Sequence, residues 1–489
     1  MSKILFGDKY SKIIENDLNF ISKLDNHLSY KIDGAEYSPA ATKGYWNGHQ
    51  FVFWDGRQKI LTEKLTFPSG LVKRVENFYK SNNKEYTIQD IRKQKSQSNS
   101  IDLYPRLNEL GIKPYAYQEE VVDKALKHDR GILKLATGAG KTLVSAMLAA
   151  KLGKKTLVMV IGLDLLNQFH ETYTKVFNKK IGMIGDGVCE IEDITIATIW
   201  SLGTALGLKN KDLKIEEFEQ KEKEVKDKDK ILKFLKEAKV VFLDESHIAG
   251  CNTIHKIYKY IEPEHLYGFS GTPFKLQESD LMIEALLGEY ICDIDSSFLI
   301  DNGFLARPYI KFIKTPKIDG LSSANYQTVY KEYIIENDIR NNLIVNNTLD
   351  LIDKGYQVLV LFKSIKHGKI LYDMLKEKCR CEIMDGSDGS DHRIKVKNMA
   401  LNKELDCIVC STIGDIGLDI PSLNGLVLAS GGKSLVRALQ RIGRVIRKYK
   451  NKDCAAIIDF NDNCKFLRNH SKSRHEIYCM EKGFKVGKI

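Results

Sequence analysis

Two short stretches, Ile132–Thr142 and Val240–His247, carry the residue types needed to handle a nucleoside triphosphate. In the first, ILKLATGAGKT, an apolar run feeds a glycine-containing turn and then a helical pattern. Gly138 and Gly140 let the backbone N–H groups of Thr137, Gly138, Ala139 and Gly140 curl around phosphate oxygens, where a side chain would obstruct the approach. Lys141 has the length and charge to reach the β- and γ-phosphates, and Thr142 offers a hydroxyl to Mg²⁺. Leu135 stands where the usual G-x-x-x-x-G-K-[ST] spacing begins with glycine. In the second stretch, VVFLDESH, an apolar strand pattern ends on Asp244 and Glu245. Two carboxylates are thereby expected at the carboxyl edge of a sheet, where open α/β folds bind ligands. Asp244 is the expected Mg²⁺ holder through water, and Glu245 the residue that orients or deprotonates the attacking water. His247 is better suited to relay between nucleotide and polymer sites than to bind metal, because no second histidine sits at helical spacing.

These residues need a sheet to hold them, and the chain supplies two series of strand signals. From Pro114 to about residue 300, apolar runs (132–136, 156–161, 194–198, 240–245, 266–271) alternate with helical patterns, as in a parallel sheet with crossover helices. A second series follows at 358–362, 407–412, 425–430 and 455–460. The expected fold class is α/β, with two tandem parallel-sheet lobes behind a small α+β amino-terminal domain. The expected boundaries are 1–100, 101–305 and 306–489, with a polar linker at 92–100 and a short helix and tail at the end. In the insertion between Leu208 and Lys239, 20 of 32 residues are charged, a pattern that reads as a solvated helix or hairpin before it reads as an arm touching DNA. Ten cysteines are too sparse for a disulfide scaffold. The one cluster, Cys379, Cys381, Cys407 and Cys410, reads as core thiols, since Cys407 and Cys410 would point to opposite faces of an apolar strand.

In order and spacing, residues 114–460 resemble the DExH branch of the superfamily 2 helicases, whose lobes are RecA-like. KPYAYQEEV resembles the adenine motif, which implies Gln118 as adenine reader and Tyr115 as stacking partner. LVMVIGLDLLNQ and TIATIWSL resemble motifs Ia and Ib, the latter implying a DNA contact at Thr198. Asp244–His247 and Ser270–Pro273 match motifs II and III. VLVLFKSIKHG resembles motif IV, with Ser364 as a DNA contact, and STIGDIGLDIP resembles motif V, with Thr412 toward DNA and Gly417 and Asp419 toward the nucleotide. QRIGRVIR is motif VI, which implies that Gln440, Arg444 and Arg447 face the γ-phosphate from the opposite lobe. Planar guanidinium groups in that position stabilise charge on a transferring phosphoryl group, so ATP binding becomes closure and hydrolysis releases it.

The amino-terminal hundred residues are similar to the front domain of the phage UvsW-type helicases, which act on branched DNA. The shared features are an aromatic-Gly pair near Tyr30–Gly34, Trp46-x-Gly48 and Pro68-x-Gly70-Leu71. Asp55-Gly56 between QFVFW and RQKIL predicts a two-residue hairpin. Trp46, Phe53, Trp54 and Arg57 are candidate DNA contacts, although alternation would send half the aromatics into the domain's own core. With 75 basic against 64 acidic side chains the chain is expected to meet a polyanion. No apolar run spans a bilayer and no leader is visible, so a soluble, non-secreted protein is expected. The apolar pattern has no long heptad array, so a monomer is expected, and the phage-like resemblance implies the cytoplasm of an infected bacterium as the place of action. The resulting expectation is an ATP- and Mg²⁺-dependent DNA helicase acting on forks or Holliday junctions. An RNA helicase, a translocase without strand separation and a non-catalytic DNA-binding protein are the alternatives.

Overall fold

The computed structural model describes all residues except 1, 33, 47, 209–224, 226, 272–279, 318–324, 387, 412–419 and 433–434. The chain forms two compact units, one of residues 1–135 and 140–293, the other of 136–139 and 294–489. Both are built on sheets whose central strands are buried on both faces. Such strands must be largely apolar, as TLVMV and VLVLF are.

In the first unit the strand order across an eight-stranded sheet is Val188–Glu190, Gly182–Gly185, Ile194–Thr198, Thr156–Val160, Val240–Leu243, His265–Ser270, Arg130–Leu135 and Tyr290–Ile294. Thr156–Val160 pairs in parallel on both sides, with Val158 opposite Ile196 and Phe242. The strand before Gly138–Lys141 and the strand before Asp244–Glu245 are separated by a single strand, to which both run parallel, so their carboxyl ends share one edge. Of the charged insertion, Lys228–Glu237 is a helix whose Ile231, Phe234 and Leu235 are buried in the core, together with Val225. The solvated helix expected here forms over Lys228–Glu237, with its lysines exposed and its apolar residues sharing one buried stripe. The remainder, 209–224, lies outside the described residues.

A small domain is built into the same unit. Its sheet places Ser2–Phe6 between Tyr10–Ile14, antiparallel, and Tyr86–Asp90, parallel. Asp17 caps the helix Leu18–His27 by accepting the Phe20 N–H at 3.1 Å. The hairpin expected at Asp55-Gly56 does not form. Arg57–Lys59 pairs with Ser29–Lys31, and Phe51–Val52 with Tyr45–Trp46, so Gly56 (φ 75°) turns the chain between two different ribbons. The segment 92–100, expected as a linker, is a strap held to the lobe. Arg92 and Lys95 pair with Asp129, Lys93 with Glu262, and the Ser96 N–H donates to Glu264 at 3.0 Å.

One helix serves two cores. Asp280–Leu287 sends Leu281 and Ala285, one turn apart, into the small domain's core, and Ile283, Leu286 and Leu287 into the lobe's core. Gly70 lies against its end, where an added Cβ would stand 2.3 Å from the Glu284 carbonyl oxygen and 2.5 Å from that of Ala285. Both obstacles are backbone, so Gly70→Ala is expected to push the small domain off the helix at a cost of about 1–3 kcal/mol. Trypsin should then cut the strap at Arg92–Lys95 faster than in the wild type, and an unchanged cutting rate would refute the expectation.

In the second unit seven strands pair entirely in parallel, in the order Cys381–Met384, Cys407–Ser411, Val358–Phe362, Gly425–Leu428, Cys454–Asn461, Arg307–Lys314 and Lys485–Val486. Cys407 and Cys410 are fully buried on their strand. The carboxyl-terminal region is not a short helix and a tail. Lys465–Met480 is a 16-residue helix, and Lys485–Val486 returns to the sheet beside Tyr309 and Ile310. Arg474 within that helix, buried against Asp459, gave no apolar signal from which its packing could be read.

Candidate nucleotide site

The turn after Arg130–Leu135 is shaped by its glycines. Gly138 (φ 88°) and Gly140 (φ 78°) both occupy the left-handed region. The helix Lys141–Leu152 starts immediately after Gly140, with no side chain capping its first N–H groups. Those donors, at the positive end of the helix dipole, suit phosphate oxygens. Thr137 and Ala139 lie in the same turn, and Thr142 is half-buried in the first helical turn. Gln118 is buried beside this turn, with its Nε2 only 2.4 Å from where a Cβ on Gly140 would be. Its Oε1 accepts the Tyr115 N–H at 3.0 Å. Tyr115 is 46% exposed, and its ring stacks on Tyr117 at 5.8 Å with 16° between the planes.

Across the edge, Lys141 Nζ stands 3.5 Å from Glu245 Oε1, and His247 Nδ1 stands 3.3 Å from Glu245 Oε2. Burial pushes Asp244 up, to about 6; Lys141 opposes this and the Glu245 charge adds to it. Burial acts on Glu245 in the same sense, but there Lys141 and His247 outweigh it and hold the carboxyl lowered, at about 2. The buried Asp244 Oδ1 has no protein hydrogen-bond partner, as suits an oxygen that serves a hydrated cation, and Thr142 lies in the adjoining helix turn. The residues therefore fit Mg²⁺. Glu245 also holds φ 52°, ψ 55°, a left-handed conformation that costs a non-glycine residue about 1–2 kcal/mol. Residue spacing alone could not reveal this left-handed conformation.

The residues expected to touch DNA fall in contrasting places. Thr198 is fully buried, its hydroxyl accepting the Ser201 N–H at 3.1 Å as a helix cap, which leaves no part of the side chain at the surface. Ser364 is half-buried at the start of the helix Ile365–Leu375, and its side chain does not cap that helix. Arg57 is tied to the small domain's own ribbon through Ser29, its Nε 2.8 Å from the Ser29 hydroxyl. Trp46 is 65% exposed. Alternation predicts half the aromatics in the small domain's core, yet Trp46, in the ribbon of Tyr45–Trp46 and Phe51–Val52, and Phe53, just beyond it, are both exposed. Phe51, opposite Trp46 and edge-on to Phe53 at 5.7 Å, belongs to the same exposed group and was missed in the sequence. Thr412, Gly417 and Asp419 lie outside the described residues, as does the Gln440 side chain. Arg444 is in the last turn of the helix Leu435–Val445, with Arg447 just beyond, both half-buried.

Comparison with known proteins adds three family matches. Residues 2–89 match the amino-terminal domain of the DNA helicase UvsW, residues 111–275 the res subunit of type III restriction enzymes, and residues 340–449 the helicase conserved C-terminal domain. The chain is 25% identical to the ATP-dependent DNA helicase uvsW of Enterobacteria phage T4, over 98% of this chain and 95% of that protein. It is 24% identical to a putative DNA 3'-5' helicase Rad25 of Haloarcula marismortui, over 68% of this chain and 50% of the relative. The fold is similar to that of the helicase MrfA bound to DNA and AMPPNP (TM-score 0.55, 14% identity, 79% of this chain and 55% of that one). It is also similar to S. cerevisiae Dbp5 bound to RNA and ADP BeF3 (TM-score 0.54, 13% identity, 79% and 93%).

Proposed function

The chain is a UvsW-like superfamily 2 helicase, an enzyme that couples ATP hydrolysis to work on DNA, and from that premise we propose that it opens or remodels branched DNA such as forks and Holliday junctions. Lys141, Gly138 and Gly140 hold the triphosphate, Asp244 and Thr142 hold Mg²⁺, and Glu245 orients or deprotonates the attacking water. Mg²⁺ bound there would neutralise charge developing between the β- and γ-phosphates. Arg444 and Arg447 supply positive charge to the transferring phosphoryl group, and Gln118 and Tyr115 receive the base.

The observation that carries the branched-substrate reading is the exposed group Trp46, Phe51 and Phe53 on the small domain. Base–aromatic stacking is sequence-tolerant and rewards unpaired bases, which a fork or an opening branch point supplies and a continuous duplex does not. No described helix is long and apolar enough to cross a membrane. The phage relative supports the reading that the protein acts in the cytoplasm of an infected bacterium.

The test is ATP hydrolysis and strand separation on single-stranded, tailed-duplex, forked and structured-RNA substrates, by the wild type and by Trp46→Ala/Phe51→Ala. Each lost stacking contact is worth about 1–3 kcal/mol. The double variant is expected to lose roughly tenfold or more in apparent affinity for forks and to keep its single-strand-stimulated hydrolysis. Equal wild-type unwinding of fork and tailed duplex would remove the branched-DNA reading, and stronger stimulation by RNA would replace it with the RNA-helicase alternative.

A further inference from the structure

In the second unit the strand Gly425–Leu428 ends in a tight turn, Ala429–Gly432, that leads into the helix carrying Arg441 and Arg444. Three carbonyls of this turn are each held by a different side chain. Arg340 Nη1 donates to Ala429 O at 2.8 Å, the Tyr330 hydroxyl to Ser430 O at 2.9 Å, and Arg474 Nη1 to Gly432 O at 2.7 Å. Both arginines are buried, and each is fixed at its other edge by an aspartate. Arg340 Nε lies 2.8 Å from Asp462 Oδ1, and Arg474 grips both oxygens of Asp459 at 2.8 and 2.9 Å. Tyr478 donates to Asp459 at 3.0 Å, and the Arg340 guanidinium lies over the Phe460 ring at 4.8 Å.

Buried ion pairs are poor devices for stability, since apolar residues of similar volume do as well or better. A guanidinium fork does something an apolar residue cannot: it fixes direction at both edges. Here the other edge of each fork holds the backbone at Ala429 and Gly432, the two ends of the turn. The third contact comes from a π-helical turn, Tyr330–Ile335, a local geometry that recurs at functional sites. The turn needs such support because Gly431 (φ 59°) and Gly432 (φ 117°) give it little intrinsic stiffness. Arg441 lies near enough to Tyr330 and Tyr478 to perturb both phenols, which places it toward the clamp.

We propose that Arg340, Arg474 and Tyr330 are positioning residues that set the backbone entering the arginine helix, and through it the placement of Arg444 and Arg447 for ATP hydrolysis. The inference rests on the role assigned above to those two arginines. It makes the carboxyl-terminal helix Lys465–Met480, through Arg474, a working part of the ATPase. A misplacement of about 1 Å at a reacting centre can cost roughly 100-fold in rate, so small changes in the clamp should be visible.

The test compares Tyr330→Phe, Arg474→Lys and Arg444→Ala in steady-state, DNA-stimulated ATP hydrolysis, with thermal unfolding and single-strand binding as controls. Tyr330→Phe deletes one oxygen, and Arg474→Lys keeps the charge but loses the fork. Both are expected to lower kcat by about fivefold to 100-fold, with KM for ATP and DNA affinity within about twofold of the wild type. Should Arg474→Lys unfold, Tyr330→Phe decides alone. Wild-type kcat in Tyr330→Phe, with Arg444→Ala inactive, would overturn the clamp. Wild-type kcat in Arg444→Ala would instead overturn the arginine assignment on which the clamp depends.

Discussion

Glu245→Gln is expected to abolish nearly all ATP hydrolysis, by roughly 10²–10⁴-fold, while the protein still binds ATP. The substitution keeps the size of the side chain and removes its charge. That charge is what the site maintains: burial works to protonate Glu245, yet Lys141 at 3.5 Å and the His247 ring hold it ionised. A glutamine can neither take the proton of the attacking water nor orient it as an anion does. Nucleotide capture should survive, because the Glu245 charge is one of the influences that raise Asp244, and its loss makes Asp244 easier to ionise for Mg²⁺. Hydrolysis at saturating single-stranded DNA, set beside equilibrium binding of a fluorescent ATP analogue, separates the two effects. More than about a tenth of the wild-type rate would rule Glu245 out as the base.

Lys141→Ala should fail at the earlier step. The lysine begins the helix Lys141–Leu152, and its ammonium stands 3.5 Å from Glu245 Oε1, beside the buried Asp244. Its removal takes away a donor to the phosphates and leaves two adjacent buried carboxylates without that cation. The expected loss is about 10²–10³-fold in kcat/KM, with a raised KM for ATP, which Glu245→Gln should not show. Lys141 and Glu245 touch, so their effects should not add. The double variant is expected to be no worse than Lys141→Ala by more than about fivefold. Full additivity would mean that the two side chains act independently.

The lobes were legible in the sequence for a definite reason. A strand buried on both faces must be apolar almost throughout, and VVFL and VLVLF have no partial pattern to misread. The nucleotide site was legible because phosphate and metal chemistry demands particular residue types at short spacing, as at Gly138–Thr142 and Asp244–Glu245. The small domain was not. Its ribbons are two or three residues long, too short for alternation to be diagnostic, so Asp55-Gly56 predicted a hairpin whose arms pair elsewhere. Lys485–Val486 was equally opaque, since two residues against a sheet edge leave no periodic trace. The left-handed Glu245 and the closeness of Gln118 to Gly140 are facts of backbone and packing that residue spacing does not encode.

The helix Asp280–Leu287, whose opposite sides complete two hydrophobic cores, carries a mechanical consequence. A body that shares a core helix with its neighbour cannot swing against it without breaking both interiors, so the small domain and the nucleotide-holding lobe form one frame of reference. On the proposed reading, bases resting on Trp46 and Phe51 would be held by the same unit that carries the Gly138–Lys141 turn. The aromatic hairpin would act as the fixed jaw of the device, the post against which strands are drawn, and not as a lever that travels with each turnover.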